Sequence, residues 1–77
     1  MQMVRLYDNL PPILDGSIND LISAINSKQR LVDCEVSQVL GDINAHESYG
    51  IINSGLAKEL RSYYIDDVVR GKYGQVL

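Results

Sequence analysis

His46 is the only histidine of the 77-residue chain and Cys34 its only cysteine, so most catalytic or metal chemistry would pass through one of these two side chains. Asp42 stands four residues before His46 and Glu47 directly after it. On a helix Asp42 and His46 face the same way, which is a spacing suited to two metal ligands. A third and fourth donor are needed, and no sequence spacing supplies them. His46 is therefore read as a packing residue at the edge of an apolar stripe. Cys34 and His46 as nucleophile and base would lie about 18 Å apart on one straight helix, too far for a hydrogen bond. No serine sits in a G-x-S-x-G setting. Gly50-Ile-Ile-Asn-Ser-Gly55 has the glycine spacing of a phosphate loop, but Leu56–Ala57 stand where the lysine and hydroxyl belong. Asp66 and Asp67 diverge by about 100° on a helix and form no acid–base pair. The chain is read as non-enzymatic, with no catalytic residue, cofactor or metal.

The elements that hold these residues are those of one small domain spanning residues 1–77. Hydrophobic residues make up 45% and charged residues 22%, with a formal net charge of −3. That balance belongs to a globular chain and not to a disordered one. No apolar run is long enough to span a membrane, and MQMVRLYDNLPP lacks the pattern of a secretory signal. A lone thiol fits a reducing compartment, so a cytoplasmic location is expected. The aromatic residues are five tyrosines, with no Phe and no Trp. A tyrosine ring favours burial and its hydroxyl favours a partner, which suits the edge of a core or a contact surface. A core without Phe or Trp points to an oligomer or a bound protein partner.

Hydrophobic periodicity predicts an all-α fold, a small three-helix bundle, with residues 2–7 open to a short N-terminal strand or turn. Pro11–Pro12 marks a turn or a first helical turn. Ser17 and Asp20 resemble a capping box, and Ile18, Leu21, Ile22 and Ile25 follow at helical spacing, giving a helix over 17–28. Leu14 falls on the same stripe, but Gly16 favours a break before it. Val32, Val36, Val39, Leu40 and Ile43 share an arc of about 100°, giving a second helix over 28–48 with Ser27 as N-cap and Gly50 as its left-handed stop. The third helix, 55–70, carries Leu56, Leu60, Tyr63, Tyr64 and Val68 on one stripe, with Asp67 projecting into it. Ile65 and Val69 fall on another side, and Arg70–Gly71 closes the helix. The tail from Lys72 to Leu77 either frays or adds a short strand.

One helix of a three-helix bundle buries one face, so Ile65 and Val69 are expected to be exposed or covered by a partner. Tyr63 and Arg61 beside them give an aromatic and cationic setting typical of contact hot spots. Asp67 would meet a tyrosine hydroxyl or a partner's arginine. The candidate partner-binding residues are therefore Tyr63, Ile65, Val69, Arg61 and Asp67. Charge is unevenly spread: no base stands between Arg30 and Lys58, while Asp33, Glu35, Asp42 and Glu47 do. Such asymmetry can steer a basic partner or align identical chains.

Leu56-Ala-Lys-Glu-Leu60 followed by Tyr64-Ile-Asp-Asp-Val-Val-Arg70-Gly-Lys72 resembles the second and third helices of repressor-type helix-turn-helix domains. Arg61–Ser62–Tyr63 replaces the Gly–apolar–Ser turn of that family. The resemblance implies a DNA-binding transcriptional regulator using residues 56–72, against which the net charge of −3 counts. The primary expectation is a protein-interaction module: a small regulator, inhibitor or adaptor that binds a larger protein or a second copy of itself. Small acidic proteins of this style are common among phage and bacterial regulators that block a larger machine.

Overall fold

Pro12 takes the first position of α1 (Pro12–Asn26), where its missing N–H has no intrahelical role to play. The helix then runs through Gly16 without a break. An added Cβ at Gly16 would meet nothing within 4 Å, so the glycine answers no steric demand. Its propensity cost of about 1 kcal/mol is outweighed by the burial of Leu14 and Ile18, both fully inaccessible. The expected start at Ser17 is thus corrected: Ser17 lies inside the helix, where its buried hydroxyl donates to the Leu14 carbonyl at 3.0 Å. Ser27, expected to open the second helix, instead ends the first. Its hydroxyl donates to the Ser23 carbonyl at 2.6 Å.

The chain is described here from a computed structural model covering residues 2–29 and 31–74. Lys28 adopts a left-handed φ of 60°, which turns the chain out of α1. α2 (Asp33–Ser48) consequently begins five residues later than its periodicity suggests, with Asp33 and Glu35 in the first turn, where helix dipoles favour acids. Val32, Val36, Val39 and Ile43 are buried as the stripe requires, and Leu40 packs at its margin. α2 ends as expected: Gly50 has φ 73°, and Gly50 and Ile51 donate to the carbonyls of Glu47 and His46 in a Schellman arrangement.

The third helix, α3, is a continuous rod in three pieces: an α-helix Ser54–Arg61, a π-helical stretch Ser62–Asp66 and a closing α turn Asp67–Val69. Asn53 caps it, its Oδ1 accepting the Leu56 N–H at 2.7 Å. At the far end Gly71, with φ 84°, takes the left-handed cap expected after Arg70. Gln75, Val76 and Leu77, where a tail strand was one expectation, lie outside the described residues.

No β-strand forms among the described residues. Residues 2–8 run instead as an extended strap held by side chains. The Asn26 amide serves the Met3 backbone twice, accepting its N–H at 2.8 Å and donating to its carbonyl at 3.0 Å. The Tyr63 hydroxyl donates to the Val4 carbonyl at 2.7 Å, and Arg5 pairs with Asp15 and Asn19 of α1. The strap therefore spans from α1 to the π stretch of α3. α2 packs against both other helices, whereas α1 and α3 make little direct contact. The expected three-helix bundle is present, with the strap linking its first and third members.

Candidate functional site

The π stretch decides where the expected partner-binding residues go. On an unbroken α-helix, Ile65 would lie about 140° from Leu60, away from the core. Here Asp67 N–H bonds to the Ser62 carbonyl, one residue beyond the α-helical partner. The wider turn holds back the rotation of the side chains within and after it. Ile65 swings inward and joins the core at 8% exposure. Its expected place on an open face is corrected on this ground.

Arg61 and Tyr63 also turn to intramolecular work. Arg61 reaches across to α2, donating to Asn44 Oδ1 at 2.9 Å and Glu47 Oε1 at 3.0 Å. Half-buried Tyr63 holds the strap and packs edge-on against Tyr64 and Tyr7. Asp67 makes no hydrogen bond to a tyrosine hydroxyl among the described residues. It lies 3.5 Å from Lys72 Nζ and 3.9 Å from Arg70. Only Val69 keeps the expected exposure, at 56%. The five residues do not form one open surface. Residues 54–69 also lack any inter-helical turn, so the geometry of a helix-turn-helix, two helices joined at an angle, is not formed there.

His46 is buried, with Nδ1 2.6 Å from the Asp42 carbonyl oxygen. The Asp42 carboxylate turns instead to Gln38. Cys34 is exposed at the start of α2, as the helical phase of that stripe implies. It lies on a groove of about 450 Å3 between α1 and α2, also lined by Ser17, Ser23, Ser27 and Gln38. Small and polar side chains dominate this groove, and Gln29 bridges part of it to the Glu35 carboxylate. Among the described residues no three His, Cys, Asp or Glu side chains converge as metal donors.

A second groove, of about 420 Å3, has a different character. One wall is the loop that joins the strap to α1, with Tyr7, Leu10 and Pro11; the other is the α2–α3 connection, with Ile51 and Ile52, continued by Leu56 in the first turn of α3. Asn9 adopts a left-handed conformation at φ 60° in the first wall, and both it and Leu10 line the groove. Ile52 is buried and anchors the floor; Leu10 and Leu56 are half-buried; Ile51 stands on the lip at 57% exposure. Asp8 also lines the groove. Glu59 stands three residues after Leu56 on the same face of α3. Burial, the Glu59 carboxylate and the neighbouring Tyr63 together push the Tyr7 hydroxyl above its ordinary pKa.

Sequence periodicity misses this site because every lining residue except Leu56 lies outside the helices. One signal was present. Ile51–Ile52 places two large aliphatic residues in a five-residue connection, and successive residues of a short connection rarely both face inward. No protein-family model, curated protein or solved structure matches the chain.

Proposed function

We propose that this chain is a non-enzymatic protein-interaction module, a small regulator, inhibitor or adaptor, that engages a larger protein through the groove between residues 7–11 and 51–56. The observation that carries the reading is the exposed Ile51 above a floor of Leu10, Ile52 and Leu56. A concave apolar floor with an exposed aliphatic lip is the form of an anchor pocket, where one partner side chain supplies much of the binding energy. The polar groove between α1 and α2 has no such floor. The third-helix surface is reduced to Val69 once Ile65 enters the core.

Ile51→Asp tests this reading. The residue is exposed and lies outside the helices, so the helical circular dichroism signal and the melting temperature should stay near those of the parent chain. Affinity capture from source-cell lysate should then lose the partner retained by the parent chain. A folded Ile51→Asp variant that retains the same partner in the same amount contradicts the proposal.

A further inference from the structure

We propose that the segment accepted by this groove presents an apolar anchor side chain flanked by lysine or arginine. The inference rests on the groove being the docking surface and adds the chemistry of its occupant. Asp8 lines the groove and Glu59 stands three residues beyond Leu56 on α3; both are exposed, and neither makes an ion pair or hydrogen bond among the described residues. Asp15 pairs with Arg5, Glu47 with Arg61, and Asp67 with Arg70 and Lys72, whereas Asp8 and Glu59, like Asp20, Asp33 and Asp66, have no cation beside them among the described residues. Of the two cations of α3, Arg61 is committed to Glu47 and Asn44, and Lys58 lies about 160° around the helix from Leu56. The groove thus keeps two uncompensated carboxylates beside an apolar floor.

An acidic or neutral segment would place its apolar anchor beside two like or unanswered charges. A basic-flanked segment answers both. Rim charges of this kind act chiefly on the association rate and on partner choice, with the apolar anchor supplying the tight contact. The Asn9 side chain has no hydrogen-bond partner among the described residues and offers an amide to the backbone of an extended segment.

A displayed library of random linear peptides, selected on the parent chain, tests the inference. The enriched peptides should carry one large aliphatic or aromatic residue flanked by Lys or Arg. Synthesised and titrated by fluorescence anisotropy, they should bind the Asp8→Lys, Glu59→Lys double variant roughly tenfold more weakly, and the loss should shrink as salt is added. They should fail to bind Ile51→Asp. Enriched peptides that need Ile51 but carry no basic residues, or that bind the charge-reversed variant equally well, overturn the inference while leaving the docking groove in place. Peptides indifferent to Ile51→Asp, or no enrichment at all, overturn both. Light scattering at the selection concentration identifies a second copy of the chain as the occupant if the parent dimerises and Ile51→Asp does not, an outcome that also overturns the basic-segment inference.

Discussion

Tyr64 is fully buried at the centre of the bundle, yet its hydroxyl closes no hydrogen bond of ordinary geometry. The Leu6 backbone lies near it and lowers its pKa, an effect smaller than the burial that raises it. A buried hydroxyl without a partner costs about 1–3 kcal/mol. Tyr64→Phe should therefore leave stability unchanged or raise it, where removing a bonded hydroxyl would lower it; a urea melt gives the sign. Burial also holds the hydroxyls of Tyr7 and Tyr73 above their ordinary pKa, with the neighbouring Tyr63 adding to both shifts. A raised pKa in the folded state means that stability is fully present below the unfolded value of 10.0 and is lost as pH rises beyond it. The urea midpoint should hold steady to about pH 9 and fall above about pH 10, less steeply in Tyr64→Phe. A midpoint flat to about pH 11 would contradict the burial of these rings.

At the scale of elements, α2 was the most legible. Its stripe from Val32 to Ile43 is buried as a regular helix requires, because a straight helix keeps the phase that the sequence displays. α3 was legible as a helix and misleading as a surface. A π turn leaves no mark in hydrophobic periodicity, so a straight-helix projection placed Ile65 outside and Asp67 inside. The start of α1 was hidden for a different reason: Gly16 and the Ser17–Asp20 pair imitate a boundary, while the burial of Leu14 overrides both. The rotation of Ile65 separates two residues that a straight helix would place together. Ile65→Asp puts an unpaired charge in the core, which costs about 3–5 kcal/mol and is comparable to the whole stability of a domain this small. It should abolish the helical circular dichroism signal. Val69→Asp, at an exposed position, should leave that signal intact. Equal tolerance of both substitutions would restore the straight helix and return Ile65 to the surface.

At the scale of the molecule, the three helices are completed by a strap that no helical pattern could announce. Residues 2–8 bury Met3 while Val4 and Leu6 stay exposed, and the Asn26 amide and Tyr63 hydroxyl satisfy backbone groups that a sheet partner would otherwise take. The return of this strap toward Pro12 builds one wall of the groove, and the Gly50 stop of α2 builds the other. The candidate site is thus a product of two irregular connections brought together by the packing of three regular elements. That is why composition and periodicity lead to the bundle but not to the residues that line the groove. The most direct measurement is a titration of the isotopically labelled chain with a groove-selected peptide, followed by backbone amide shifts. Shifts should concentrate at residues 7–11 and 51–59 and leave Ser23, Cys34 and Gln38 unmoved. Shifts centred on the α1–α2 groove, or on Val69, would contradict the assignment of the docking surface.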